Sequence, residues 1–463
     1  MRFLLVCIAL VAMLPNVARA STLWQVWRAA RANDPAFLAA GAKLRATATD
    51  RPAALAALLP HVALAAGAGP QNQYAAGPEF YGTGFEPITE FQRIGVSTWQ
   101  ATLTQTLFDW GSVKSYQAAG FRVQAAAATY QATLEALTVK VATDYVAVLA
   151  ANADLAALRG AERGFGKQYH DAEARYRAGM AGVIGADEAR AALESLRAQV
   201  VQAQTTLIAA RETLAALTGN PAIDANGSLP EALPLPKLGG IGAWIDRARS
   251  GNPTLAAANL TARGDAELVS AAQGSYLPNV SLQLQHTHIA QGGHAAYAFL
   301  GQSITGPGNL LQQGNSVTVQ LNWHVFSGGA TVAATDRARA LRDEAHDNAA
   351  TAQLTVIRTI RTDYFALTLD RSRLDAARSA ALVAAKAVRA ASDGVRAGLI
   401  SESDLIADRQ QLLSADLALH AAIVSAIGHE LGLAQAEGSA TPALVHSLST
   451  TIAPTHNPKE AKP

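Results

Sequence analysis

Cysteine is all but missing from this chain: the single one among 463 residues, Cys7, lies inside an apolar N-terminal stretch. Arg2, the run Phe3–Leu14 and the small-x-small triplet Ala18-Arg19-Ala20 read as a secretory signal peptide over residues 1–20, cut before Ser21. Leu5-Val6-Cys7 comes too early to be a lipid-attachment box, because a cut there would leave almost no leader. The mature chain then carries no thiol, which excludes disulfides, thiolate metal sites and cysteine nucleophiles. An excess of one charge is missing too. The net charge of +1 leaves no basic face to release counterions from phosphate, so no nucleic-acid partner is expected. After the leader no apolar run approaches the roughly 20 residues of a spanning helix, so any entry into a membrane has to be by β-strands.

Catalytic and cofactor motifs are also lacking. G-x-S-x-G, H-E-x-x-H and C-x-x-C do not occur. Gly160-Ala-Glu-Arg-Gly-Phe-Gly-Lys167 has one residue too many for a phosphate loop, Gln168 in place of Ser or Thr, and a position in mid-helix. His286, His288 and His294 have no carboxylate or cysteine nearby to complete a metal site and read as polar residues near a loop. No cofactor, metal or enzymatic activity is expected.

Proline is absent from Gly111 to Gly179, where alanine abounds and apolar residues recur at helical spacing. Leu134, Val141, Val148 and Leu155 fall seven apart, with Leu137, Ala151 and Leu158 three residues on from three of them, the seam of a helix committed to a coiled-coil partner. At 1.5 Å per residue this helix is on the order of 100 Å long, against about 12 residues for an ordinary globular helix. Gly329 to Gly398 repeats the pattern through Ile360, Leu367 and Leu374.

The chain is therefore two copies of one plan. Asp34-Pro35 recurs as Asn252-Pro253, Leu59-Pro60 as Leu277-Pro278, and Phe108 to Gly111 as Phe326 to Gly329, each 218 residues later. Asp144-Tyr145 and Arg177-Ala-Gly179 recur as Asp363-Tyr364 and Arg396-Ala-Gly398, 219 later. Repeat 1 spans 21–219, with strands at about 61–70 and 96–108, a long helix at 111–178 and a return helix at 187–217. A connector covers 220–240. Repeat 2 spans 241–435, with strands at about 279–289 and 316–326, a long helix at 329–397 and a return helix at 403–433. The Pro- and Lys-containing tail, 436–463, reads as disordered. Asp144-Tyr145 and Asp363-Tyr364 lie within the seams and read as packing groups.

The strand segments alternate. Val317, Val319, Leu321, Trp323 and Val325 oppose Thr318, Gln320, Asn322 and His324; Trp99, Ala101, Leu103 and Leu107 oppose Gln100, Thr102, Thr104 and Thr106. Runs of about 9–11 residues with an uncharged polar face fit transmembrane β-strands, with Trp99, Leu103, Val319, Leu321 and Trp323 facing lipid. A half-exposed soluble sheet alternates in the same way. Four strands are too few to close a membrane barrel, which takes about eight or more, so the membrane reading requires several chains to pool strands. Gly67–Gly95 and Ala290–Asn315 are then outward-facing loops.

A duplicated strand pair flanked by helices, an Asp/Asn-Pro opener and a glycine turn into a return helix together resemble the TolC-type outer-membrane efflux or secretion channel family, unlipidated branch. The resemblance covers Thr22 to about Ala434. Its most specific part is Arg396-Ala-Gly-Leu-Ile-Ser-Glu-Ser-Asp404-Leu405, similar to the family's helical-turn motif of glycine followed six residues later by aspartate; Leu23 to Pro35 resembles its N-terminal helix. The fold it implies is mainly α with β: four strands per chain, shared in a homotrimer as a twelve-stranded outer-membrane barrel, continuing into a long α-helical coiled-coil barrel in the periplasm. It implies a passive exit duct for small molecules or proteins, with a periplasmic adaptor, an inner-membrane transporter and outer-membrane lipid as partners. It marks Gly179, Arg396 and Gly398 as turn residues and Asp404 and Asp187 as a periplasmic constriction. The family's second aspartate falls on Ala407, with Asp408 about 100° further around the helix. The tyrosine and arginine that latch the turns in the best-known member are Val395 and Ile400 here. Apart from the resemblance, Asp404 and Asp187 are ordinary choices near a helix N-terminus. The alternative reading is a soluble periplasmic coiled-coil scaffold or adaptor.

Overall fold

The computed structural model describes residues 19–452 except 82, 83, 181, 222, 226, 231, 232, 234, 237, 300 and 301. The expected signal peptide up to position 18, and the tail from 453, lie outside the described residues. In chain order the elements are β1 (Arg19–Ser21), α1 (Leu23–Asn33), α2 (Pro35–Ala48), α3 (Asp50–Ala56), β2 (His61–Tyr81), β3 (Gly84–Phe108), α4 (Trp110–Arg177), α5 (Val183–Thr218) and β4 (Ile223–Ala225). The second copy follows with α6 (Ile241–Gly251), α7 (Pro253–Gln273), β5 (Asn279–Phe299), β6 (Gln302–Pro307), β7 (Leu310–Asn322), α8 (Ala330–Arg396), α9 (Glu402–Glu437) and α10 (Pro442–Thr451). They form two compact units, one made of Arg45–Ala125 and Asn259–Asp347, the other of the rest of the chain.

In the first unit β2 and β3 form an antiparallel hairpin in unbroken register from His61–Thr104 to Tyr81–Gly84. The other edge of β3 pairs with β5. The far edge of β5 is filled first by β7 and then by β6, so these two act as one return strand, interrupted at Gly308-Asn309. At the interruption Gly308 N–H donates to the Gly293 carbonyl (2.9 Å) and Gly293 N–H to Asn309 Oδ1 (3.3 Å). The sheet is thus four strands wide.

The strands are longer than their alternation shows. β2, β3 and β5 run 21, 25 and 21 residues, and the stretches read as loops, Gly67–Gly95 and Ala290–Asn315, are mostly strand. Backbone pairing propagates along a hairpin whatever the side chains, and there the residues are Gly, Ala, Gln and Pro, which mask the period. Pro70 and Pro78 are tolerated because β2 is an edge strand. The final strand ends at Asn322 rather than 326. Trp323 lies just past it, its Nε1–H donating to the Tyr276 carbonyl at 3.1 Å. Gln105 does the same in the first copy, its Nε2–H reaching the Leu58 carbonyl at 2.9 Å.

The second unit is helical. On α4 the seam residues Leu137, Val141, Val148, Ala151, Leu155 and Leu158 are buried, as are Ile360, Leu367 and Leu374 on α8. α5 returns with its own seven-residue row of buried leucine and valine: Leu193, Val200, Leu207 and Leu214. By length and composition alone α4 and α9 could cross a membrane, which departs from the expectation that nothing after the leader could; half of the apolar window of α4 and 39% of that of α9 is buried. Alanine supplies much of that hydropathy.

Each copy pins its first helix to its long one in the same way. Tyr145 donates to the Ser21 carbonyl (3.1 Å) and Tyr364 to the Gly239 carbonyl (2.8 Å), each two residues before a helix start. Asp34 and Asn252 cap the next helix by accepting from Phe37 N–H (2.6 Å) and Leu255 N–H (2.9 Å), with Pro35 and Pro253 as the first helical residues, where no N–H is needed. Asn252 is buried and also donates to the Ala436 carbonyl at 2.9 Å. Trp27, buried, donates to Thr138 Oγ1 at 3.1 Å. The expectation of a disordered tail fails between 436 and 451. α9 extends to Glu437, and α10 buries Val445 and Leu448, with Ile452 just beyond, in the core that holds Leu23 and Trp27. Ten residues rich in Ser and Thr gave the apolar triplet little contrast.

Two outcomes follow. Asp34→Ala costs about 1 kcal/mol as a lost cap, and Asn252→Ala costs more, about 2 kcal/mol, because a buried carbonyl also loses its donor; urea midpoints of the detergent-solubilised protein rank the two. Burial pushes the Glu135 carboxyl up from 4.5 to about 7, so the folded state loses stability as pH rises from 4.5 to 7. Glu135→Gln therefore raises the melting temperature at pH 8 more than at pH 5.

Candidate functional site

α4 and α8 end alike. In the first copy Gly179 (φ +69°) stops the helix, Gly179 N–H donates to Tyr176 O (2.9 Å) and Met180 N–H to Arg175 O (2.9 Å). In the second, Gly398 (φ +71°) stops it, with Gly398 N–H to Val395 O (3.1 Å) and Leu399 N–H to Gly394 O (2.9 Å). Paired 5→2 and 6→1 bonds across a left-handed residue close the last carbonyls, and glycine takes that conformation without the Cβ penalty. Arg396, exposed, pairs with Asp393 one turn earlier at 3.3 Å.

The helices that leave the turns start differently. α5 begins at Gly182 with no side-chain cap. α9 begins at Ser401 with a full capping box: Asp404 N–H donates to Ser401 Oγ (3.1 Å), while Ser401 N–H (3.2 Å) and its hydroxyl (2.7 Å) donate to Asp404 Oδ2. These bonds, the hydroxyl first, hold the fully exposed Asp404 carboxyl below its ordinary value. Asp187 is exposed on the second turn of α5 and Asp408 half-buried one turn past Asp404. The structure joins their neighbours: Ser403 Oγ donates to Glu188 Oε2 at 2.5 Å. Val395 is buried with Ala391 and Leu405, and Ile400 lies against Gly394, so both latch positions serve apolar packing within one turn.

Glu402, which sequence reasoning passed over, ties the start of α9 to α4. It pairs with Arg175 Nη1 at 2.5 Å, and Gln168 Nε2 donates to its carbonyl (3.0 Å) and its carboxylate (3.2 Å). Its position just after Ser401 in the first turn was the available signal. Gly164 from the failed phosphate loop lies against the Arg409 guanidinium, whose movable end would have to shift for a Cβ there. Burial pushes Arg409 down, while Glu402 and Asp171 pull it back up. Further along α9, His420 Nδ1 meets Asp154 of α4 at 2.7 Å and His429 Nδ1 meets Asp370 of α8 at 2.6 Å.

On the sheet, cross-strand partners share a face. Trp99 and Leu103 of β3, Val62 and Leu64 of β2, Leu282 and Leu284 of β5, and Val317, Val319 and Leu321 of β7 fall on one side. On the other are Gln100, Thr102, Gln285, Thr287, Thr318 and Gln320. Gln100 and Gln285 each donate to the threonine two residues on, at 3.0 Å. Val62, Leu64, Val317, Val319 and Leu321 are each more than 60% exposed.

The family described as outer membrane efflux protein matches residues 26–220 and 244–439, one span per copy. The outer membrane protein TolC of Escherichia coli K12 is 23% identical over 462 residues, covering 97% of this chain and 89% of its own. The alkaline protease secretion protein AprF of Pseudomonas aeruginosa is 24% identical over 321 residues, covering 68% and 64%. Among solved structures, the Vibrio cholerae outer membrane protein VceC superposes with a TM-score of 0.72 at 19% identity, covering 90% of this chain and 96% of its own. The Campylobacter jejuni CmeC outer membrane channel gives 0.73 at 17%, covering 93% and 90%. The chain belongs to the outer membrane efflux protein family and is an outer-membrane efflux or secretion channel, not an enzyme.

Proposed function

We propose that three copies of this chain pool their sheets into one closed outer-membrane barrel and serve as the passive exit duct of a tripartite efflux pump or type I secretion system. The observation that carries this is the sheet itself: four strands wide, with the outer edges of β2 and of β6–β7 lacking a strand partner among the described residues. Closure takes about eight strands or more, and open edges in lipid cost several kcal/mol per group. The number three comes from the family, as do docking onto a periplasmic adaptor and an inner-membrane transporter. TolC and AprF, by their names an outer membrane protein and a protease secretion protein, support export as the role.

The apolar face supports a lipid contact. From Trp99 to Phe108 the strand covers about 30 Å, or about 23 Å along the membrane normal at the usual tilt, close to the roughly 25 Å band of outer-membrane barrels. Trp99 marks one end, and Phe108, Trp110, Tyr276, Trp323 and Phe326, all exposed, mark the other. At the turns, Asp404 and Asp187, with Asp408 behind, form a cation-favouring constriction when three copies ring a narrow axis.

Extraction from outer membranes should give an unheated gel band at about three times the mass of the mature chain that collapses on boiling, and bilayer conductance. A water-soluble monomer in the periplasmic fraction overturns the duct and favours the scaffold reading. For Asp404, the Asn variant keeps an acceptor at the cap and removes the charge; it should lower cation selectivity with hydrogen-exchange protection at Ser401–Leu405 intact. Asp404→Ala should lose both. Because the folded carboxyl titrates below its ordinary value, its support of the turn is complete above that value and fades as pH falls through the folded one, so wild type and Ala converge in protection in acid. Unchanged selectivity in Asp404→Asn removes the residue from the constriction.

A further inference from the structure

Beyond Trp99 the same face of the sheet changes chemistry. Trp99 pairs with His288 and Ala101 with His286, so both imidazoles flank the indole, with ring centroids 5.8 and 4.7 Å away. His286 Nδ1 is held by Asn315 Oδ1 at 2.6 Å, from the facing position of β7. Six residues further along β3, Arg93 pairs with His294. Both are exposed, and Arg93 has no hydrogen bond or ion pair among the described residues. Among the described side chains this face carries no carboxylate, whereas Glu90 belongs to the opposite one.

We propose that Arg93, His286, His288 and His294 bind the phosphorylated saccharide headgroup of an outer-leaflet glycolipid. This rests on the lipid-facing reading of the apolar face. Height selects the occupant. Arg93 and His294 lie about 20 Å along the strand from Trp99, hence about 15 Å further along the membrane normal. The headgroup layer of an ordinary bilayer is only about 5–8 Å deep per leaflet. The phosphate of a simple glycerophospholipid therefore reaches the Trp99–His286–His288 level and stops short of Arg93. A lipid whose headgroup continues through phosphorylated sugars spans both levels, and its anionic charge complements a face that carries Arg93 and three imidazoles but no carboxylate among the described side chains.

The purified trimer is incubated with lipopolysaccharide carrying its phosphates, with the same material after chemical dephosphorylation, and with phosphatidylglycerol; bound lipid is read by native mass spectrometry. Phosphorylated lipopolysaccharide should be retained over the other two. Arg93→Gln, which removes a positive charge, should weaken retention about fivefold, and adding His294→Gln, which removes an imidazole, should weaken it further, with Arg93→Lys close to wild type and the unheated trimer band unchanged in all three. Equal retention of the dephosphorylated form or of phosphatidylglycerol overturns the proposal, as does an unaffected double variant. Leu103→Cys, labelled with bimane and probed with lipids carrying a chain quencher, separates the two readings. An unquenched label sinks the lipid-facing assignment, and a quenched one with unaltered retention sinks the headgroup site alone.

Discussion

Unpaired backbone along two strand edges is the constraint on which the rest of this molecule depends. In water the outer N–H and C=O groups of β2 and of β6–β7 hydrogen-bond to solvent; in hydrocarbon nothing replaces the water. Side chains do not cure the deficit, because the edge of a sheet is main chain. The edges also carry none of the lysines that soluble proteins use to keep an edge from pairing. In the proposed assembly what protects this sheet is another sheet. The two edges differ, so that contact is head-to-tail, the kind that makes a ring when its rotation closes.

Duplication supplies the rest economically. Each copy places a Leu-Pro step between its short helices and its first strand, anchors a strand end by a side chain reaching the carbonyl just before that step, pins its first helix with a tyrosine and ends its long helix on a left-handed glycine. The copies diverge where the residues no longer need to agree. Asp34 became Asn252 where a buried carbonyl wanted a donor, and the glycine start of α5 became the Ser401–Asp404 box of α9. The two turns are the same backbone with different chemistry on it.

Much of this was legible in the chain. Heptads at Leu134, Val141 and Val148, and at Ile360, Leu367 and Leu374, mark long helices because a seam of fixed period has few other uses. The 218-residue spacing reveals the repeat because prolines and glycines hold their places. The extended arms of the hairpins were illegible because backbone pairing needs no side-chain pattern, and α10 because only Val445 and Leu448 are buried within its ten residues. The turn aspartates were singled out through resemblance to the family's glycine-to-aspartate turn motif. Glu402, Arg409 and the two histidine–aspartate pairs were not, since each joins residues far apart in sequence and no local pattern announces a partner on another helix.

The strand anchors carry one more consequence. Gln105 and Trp323 occupy equivalent places and make equivalent bonds, yet one is a small amide and the other a bulky indole. A ring assembled from such chains alternates amide and indole around its lower rim. However nearly the strands repeat, the rim has only as many identical sectors as it has polypeptides, and whatever surrounds its apolar face meets an amide and an indole in turn.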